Sequence, residues 1–162
     1  MIEIAKLSPD QWESYRDLRL EALKNDPVAF GSSLEEEVGL PREIWLKRIP
    51  NALFAFFQGK PVGLIVCNRE NRIKTMHTAY INSMYVTEKF RGQGIGGKLM
   101  AAAIDSIRAN QDILKIRLSV MAPRVPAFRL YSRFGFEIIG TAKKELCVHG
   151  LYYDEILMEK MI

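Results

Sequence analysis

Between residues 9 and 24 apolar positions recur at helical spacing, with Trp12, Tyr15, Leu18, Ala22 and Leu23 forming one stripe, the signature of an amphipathic helix. Ser8-Pro9-Asp10-Gln11 offers an N-cap serine, a proline at the first helical position and a glutamine at N3, and Asn25-Asp26-Pro27 stops the helix. Ile2, Ile4 and Leu7 predict a short opening strand. The looser stretch AFGSSLEEEVGL leads to a second helix begun by Pro41 and carrying Ile44, Trp45 and Ile49. From Ala52 the period changes. ALFAFFQ and PVGLIVCN read as two buried strands joined by a tight hairpin at Gly59-Lys60, and MHTAYINSMYVT, residues 76–87, as a third. After a glycine cluster at 92–97, Ile95, Leu99, Ala103 and Ile107 mark a helix running to about residue 109. KIRLSV then alternates as a strand, residues 125–134 form a short helix ending at Gly135, and two last strands, about 136–146 and 151–160, flank a His149-Gly150 turn. Strand, two helices, three strands, helix, strand, helix, two strands: this order predicts a mixed α/β sheet.

The composition changes that picture little. With 162 residues, 48% of them hydrophobic and 26% charged, the chain has globular rather than disordered or fibrous character. No Pro-, Gly- or Ser-rich linker divides it, so one domain over residues 1–162 is expected. No apolar run approaches the roughly 18 residues of a membrane helix, and Glu3, Lys6 and Asp10 interrupt the start where a signal peptide would be apolar. A cytoplasmic protein without membrane attachment is expected. Cys67 and Cys147, with only His77 and His149 as co-ligands, form no metal or disulfide pattern and read as two reduced thiols. Charge is distributed unevenly: residues 1–50 carry 7 basic and 10 acidic side chains, residues 51–162 carry 16 and 9.

The glycine cluster, Arg91-Gly92-Gln93-Gly94-Ile95-Gly96-Gly97-Lys98, sits between an expected strand and an expected helix. Glycines there let the backbone turn tightly and aim free N–H groups at a ligand, and those groups together with the helix dipole favour a phosphate. Three phosphate-binding patterns match. Gly92, Gly94 and Gly97 satisfy GxGxxG, but three strands precede the motif and the next strand ends without the acid that would take a ribose, which disfavours a dinucleotide enzyme. Gly92 to Lys98 fits GxxxxGK, but Leu99 stands where an NTPase needs a hydroxyl for magnesium. The third pattern is Arg-x-x-Gly-x-Gly over Arg91 to Gly96.

That third pattern resembles the acyl-CoA loop of the GNAT superfamily of N-acetyltransferases. The resemblance extends to most of the chain. INSMYVTEKFRGQGIG, residues 81–96, is similar to that superfamily's fourth strand and pyrophosphate loop, and LSVMAPRVPAFRLYSRFGF, residues 118–136, to its fifth strand and following helix. GLYYDEILMEKMI resembles its last strand, and RLEALKNDPVAFGSSLEEE resembles the opening of members with small-molecule or uncharacterised acceptors. The resemblance implies a mostly antiparallel sheet of six or seven strands flanked by about four helices, with acetyl-CoA as co-substrate and no metal.

Residue by residue, it implies that the backbone of Met84, Tyr85 and Val86 pairs with the pantetheine arm, and that Arg91, Gly92, Gln93, Gly94, Ile95, Gly96 and Gly97 hold the pyrophosphate, with Lys98 near an outer phosphate. Tyr131 matches the position commonly assigned as the acid that meets the departing thiolate. Arg124 stands where many members have an asparagine that contacts the arm, and Tyr80 and Asn82 stand where many have a glutamate base. His77, near the start of that strand, is one candidate base. Glu35, Glu36 and Glu37 fall in the segment that usually walls the acceptor site and read as a solvated charge run.

The function expected is direct transfer of an acetyl group from acetyl-CoA to a primary amine of a small molecule or of a peptide or protein N-terminus. The alternative is a CoA-binding sensor that has lost turnover. The basic residues are scattered and carry no nucleic-acid motif, so no nucleic-acid partner is expected. A homodimer is a family expectation only. The basic segment would attract the roughly four negative charges of CoA, and the acidic one hints at a cationic amine.

Overall fold

A computed structural model describes residues 1–162, and in it all the expected strands join one seven-stranded sheet. The elements are β1 (Ile2–Ala5), α1 (Trp12–Asn25), α2 (Leu34–Glu37), α3 (Arg42–Arg48), β2 (Ala52–Phe57), β3 (Lys60–Arg69), β4 (Thr78–Val86), α4 (Ile95–Arg108), β5 (Lys115–Met121), α5 (Val125–Arg133), β6 (Glu137–Val148) and β7 (Leu151–Met161). The strand order is β1-β2-β3-β4-β5-β7-β6. Every neighbouring pair is antiparallel except β4 and β5.

Two details differ from the sequence reading. A fifth helix, α2, occupies the segment expected to be loose. Four residues hold no periodicity, but Ser33 and Glu36 cap it reciprocally: Glu36 N donates to Ser33 Oγ at 3.3 Å and Ser33 N to Glu36 Oε2 at 2.7 Å. The hairpin between β2 and β3 turns at Gln58-Gly59, both with positive φ, and Lys60 already belongs to β3. That is the geometry of a two-residue type I′ turn.

Alternation along the strands divides the core in two. On one face Ile65, Ile81, Ile116, Leu118 and Val120 pack with Leu99, Met100 and Ala103 of α4 and with Tyr131 of α5. On the other, Phe54, Leu64 and Val66 pack with Tyr15, Leu18 and Ala22 of α1 and with the fully buried Trp45 of α3. Tyr15 lies edge-on to both Trp45 and Phe54, an arrangement that aromatic quadrupoles favour.

β4 changes face along its length. Ile81 belongs to the α4 side, and strict alternation would send residue 85 there too, yet Tyr85 is buried on the α1 side. The register explains it: Val66 faces Asn82 and Leu64 faces Tyr85, so Ser83 and Met84 together oppose Ile65. This is a β-bulge with Ser83 at φ +55°. β4 and β5 pair only from Thr78–Tyr80 to Lys115–Arg117. Beyond Tyr80 and Arg117 they part, and the bulge lies within the parted stretch of β4.

Candidate active site

The parted strands bound a cavity of about 600 Å³, within the range that holds drug-sized ligands. One wall is the β4 end, Met84, Tyr85 and Val86, continuing into Arg91, Gly92, Gly94, Ile95, Gly96 and Gly97. The other is Ser119, Val120 and Met121 of β5 with Arg124, Leu130, Tyr131 and neighbouring residues of α5. Of the residues singled out from the sequence, Gln93 and Lys98 are outside this lining: Gln93 Nε2 donates to the Lys89 carbonyl at 3.3 Å, and Lys98 is exposed one turn into α4.

The glycine loop places the start of α4 at the cavity. Gly94, the N-cap, has φ +76° and supplies no side-chain cap, and the first backbone donor bonded back along the helix is Lys98 N, to Gly94 O at 3.1 Å. The amides of Ile95, Gly96 and Gly97 therefore have no intrahelical acceptor. Their N–H groups and the helix dipole make this end attractive to an anion. Gly96 is tight for a different reason: an added Cβ would stand 3.2 Å from Met84 Cε and 3.4 Å from Leu130 Cδ2. Ile95, 1% exposed, anchors the turn in the core.

Arg91 is pinned rather than free. Its Nε donates to the Val86 carbonyl at 2.8 Å, one terminal nitrogen meets Asp26 Oδ2 at 2.5 Å, and the guanidinium lies 5.4 Å from the Tyr85 ring centroid. Asp26 also accepts from Arg124 at 2.7 Å. One carboxylate thus ties the loop after β4 to the loop after β5 across the cavity mouth. The sequence reading took Asp26 only as part of a helix stop. Arg129 and Arg133, four apart on α5, also line the cavity and were missed; their i, i+4 spacing beside Tyr131 was the available signal.

Tyr131 is 6% exposed, and burial pushes its phenol up to about 12. No fully buried side-chain oxygen in the molecule lacks a hydrogen-bond partner, so the Tyr131 hydroxyl, which has none, opens onto the cavity it lines. Tyr85 contributes backbone. Its side chain is buried among the α1 residues, with its hydroxyl donating to Glu21 Oε1 at 2.9 Å.

The candidate acids and bases named from sequence fall elsewhere. His77 precedes β4 at the end where β4 and β5 are paired, and its carbonyl accepts from Leu114 N. Seven residues of strand, roughly 20 Å, separate it from Met84. Glu37, expected to be solvated, is 3% exposed and held by Arg19 at 2.8 Å and Arg48 at 2.7 Å. Burial alone would raise its pKa, but the hydrogen bonds and charges of the two arginines outweigh that and hold it down to about 2. The helical turn of α2 buries this one acid of the run. Arg19 reaches on to Ser83 Oγ at 3.3 Å, so the buried cluster is tied to the bulge of β4 beside the cleft. Cys67 lines a separate hollow of about 170 Å³ beside Lys6 and Asn51, and burial raises its thiol to about 11. It is neither near the cleft nor activated as a nucleophile.

Comparison with known proteins places this geometry in context. The family model described as Acetyltransferase (GNAT) family matches residues 8–136. The L-amino acid N-acetyltransferase AaaT of Escherichia coli is 27% identical over 123 residues, covering 73% of this chain and 75% of the relative. An acetyltransferase of the GNAT family from Streptococcus pneumoniae superposes with a TM-score of 0.88 at 23% identity, over 100% of both chains. The protein yncA of Salmonella typhimurium, solved with its cofactor acetyl-CoA, superposes with a TM-score of 0.86 at 14% identity over 99% of this chain and 94% of that one.

Proposed function

The chain belongs to the acetyltransferase (GNAT) family and is an acetyltransferase with acetyl-CoA as co-substrate, and from that membership we propose that it transfers the acetyl group directly to a primary amine. The observation that carries this reading is the cleft itself: β4 and β5 ends no longer paired with each other, the uncapped amides that open α4 and the Tyr131 phenol, all on one cavity. These residues suit the co-substrate. Backbone groups of Met84, Tyr85 and Val86 match the amides of a pantetheine arm as an added strand would. The amides of the glycine loop, with the charges of Arg91, Arg124, Arg129 and Arg133, suit its phosphates.

Acetyl-CoA supplies an acyl thioester, already activated toward attack by an amine. The protein's part is to position, to hold charge and to move protons. A backbone N–H of Tyr85 or Val86 is the candidate donor to the acyl oxygen. Tyr131, with a pKa near 12, stays protonated at neutral pH. Against a thiol whose pKa is about 8.5, it stabilises the leaving sulfur chiefly by donating a hydrogen bond rather than by giving up its proton. Neither cysteine is placed for a covalent relay, which favours direct attack.

The acceptor is a primary amine of a small molecule or a peptide N-terminus. The relative named an L-amino acid N-acetyltransferase supports the first of these. The decisive experiment follows thiol release from acetyl-CoA with propylamine, spermidine, L-leucine and a trialanine peptide. Release with at least one amine is expected; saturable acetyl-CoA binding without release from any amine would leave a sensor and overturn transfer.

A further inference from the structure

We propose that Ser119 and Glu155 form the proton-accepting pair of this site, with Ser119 meeting the incoming ammonium and Glu155 taking the charge. The inference rests on the transfer reading above and supplies the base that the fourth strand lacks.

Ser119 lines the cavity on β5 and donates from Oγ to Glu155 Oε1 at 2.5 Å. In the antiparallel register Ser119 faces Leu157 and Met121 faces Glu155, so the serine and the glutamate share one face of the sheet and meet diagonally. That face is opposite to Leu118 and Val120, which enter the α4 core. An acceptor can reach it from the open side: Ser119 is exposed, Glu155 half-buried and Leu157 37% exposed. The cleft thus has a phenol on the core side of β5 and Ser119 on the other, with Glu155 hydrogen-bonded to that serine from just outside the cavity lining.

Charge singles out Glu155. Asp26 also reaches the cavity, but two arginines hold it. On β5 and β7, Arg117 and Lys115 are both held by Glu159. On β6, Lys143 is held by Asp154, and Lys144 lies over the Tyr152 ring at 5.9 Å. Arg124, from the loop after β5, belongs to Asp26. Glu155 has a neutral hydroxyl as its partner and no cation, and a carboxylate so placed has capacity for one.

An alkyl amine with a pKa near 10 arrives almost wholly protonated at neutral pH. Ser119 Oγ accepts one proton from the ammonium as its own hydroxyl proton passes to Glu155 Oε1: an N–H and an O–H bond break, two O–H bonds form, and the amine lone pair is freed. The nitrogen then bonds to the acyl carbon as the carbon–sulfur bond breaks. A second amine proton leaves on the sulfur, and the proton on Glu155 is released to solvent. The products are the amide, the free thiol and one proton.

The pair is tested with Glu155→Gln, Glu155→Asp and Ser119→Ala, by two measurements. The first is the pH profile of kcat/KM for the best amine of the panel. Glu155→Gln is expected to lower it at pH 7 on the order of 10²- to 10⁴-fold, and to move the rising limb up toward the pKa of the free amine, so that activity returns at high pH. KM for acetyl-CoA stays unchanged, Ser119→Ala follows the same pattern, and Glu155→Asp keeps the limb at a reduced rate. The second is calorimetric binding of the same amine to enzyme saturated with CoA, where no reaction occurs; it weakens in Glu155→Gln. A wild-type limb in Glu155→Gln, or an equal loss at every pH with undiminished amine binding, overturns the pair while transfer stands. No thiol release by the wild type with any amine overturns the transfer reading and the pair with it.

Discussion

The two walls of the cleft face the same cavity but are built from different material. The β4 wall works with backbone: a bulge at Ser83, a strand end paired with β3 but not with β5, and a run of amides at the head of α4. The β5–α5 wall works with side chains: Ser119, Arg124, Arg129, Tyr131 and Arg133. A backbone wall holds what every acyl-CoA has in common, a repeating amide arm and phosphates. A side-chain wall is where acid–base chemistry and discrimination between acceptors can differ from one chain to another. Substitutions on the first wall should therefore act on cofactor affinity and fold, and those at Ser119 and Tyr131 on the second on turnover, while the second wall's arginines add only to phosphate attraction.

The largest effect expected is on the brace beneath the β4 wall. Glu37→Ala would leave the buried Arg19 uncompensated, which costs on the order of 3–5 kcal/mol, a large share of a total that is roughly 5–15 kcal/mol for a domain. Chemical denaturation measures it. The same site predicts acid lability: because Glu37 is held down to about 2 against an ordinary value of about 4.5, its stabilisation is present above pH 4.5 and is lost as pH falls from there toward 2. A midpoint of unfolding that moves no further in the wild type than in Glu37→Gln across that window would remove Glu37 from this role.

Next comes the loop. Gly94→Val is expected to lower acetyl-CoA affinity on the order of 10²-fold or more, measured by calorimetry. The reason is conformational rather than steric within the protein: nothing lies within 4 Å of an added Cβ, but φ is +76°, a region that β-branched residues avoid. Gly94→Asn sharpens the point, since asparagine tolerates that φ, and should keep most of the affinity. Equal losses in the two variants would instead indicate that any side chain blocks the phosphate.

The order of the strands and longer helices, the C-terminal end of α1 and the glycine loop were legible in the sequence because each rests on local chemistry: periodicity, capping residues, positive-φ glycines. The cleft was legible only through resemblance, since neither the end of β4–β5 pairing at Tyr80 nor the bulge that follows it is announced by any single residue. Ser83 carries no turn signature, and it holds its φ in a setting braced by Arg19, 64 residues away. Asp26 was read only as a helix stop, which it also is, and Glu37 was misread as solvated, for the same reason: their partners Arg124, Arg19 and Arg48 come together only in the folded chain. Of the acids of the first 50 residues, Asp26 and Glu37 are held by arginines, whereas Glu155, in the basic segment, has the Ser119 hydroxyl as its partner.

On the second wall, Tyr131→Phe tests turnover. Loss of one donor to charge developing on the departing sulfur is expected to lower kcat on the order of 10²-fold, with acetyl-CoA affinity nearly unchanged because the ring still packs edge-on against Phe136. Stopped-flow thiol release separates the two quantities. An unchanged kcat would take Tyr131 out of the chemistry and leave it a packing residue.

The smallest effect expected is at Arg129 and Arg133. Both are exposed and neither is held by a carboxylate, in contrast to Arg91 and Arg124, which share Asp26. Exposed charges facing a phosphate act over a screened distance, and ions shield them within about 10 Å at 0.1 M salt. Arg129→Gln and Arg133→Gln should each weaken acetyl-CoA binding about threefold at low salt, as weak exposed pairs do. The difference from the wild type should vanish as salt is raised, and kcat should not move. If either variant instead lowers kcat at every salt concentration, that arginine does more than attract phosphate, and the division of labour within the second wall has to be redrawn around it.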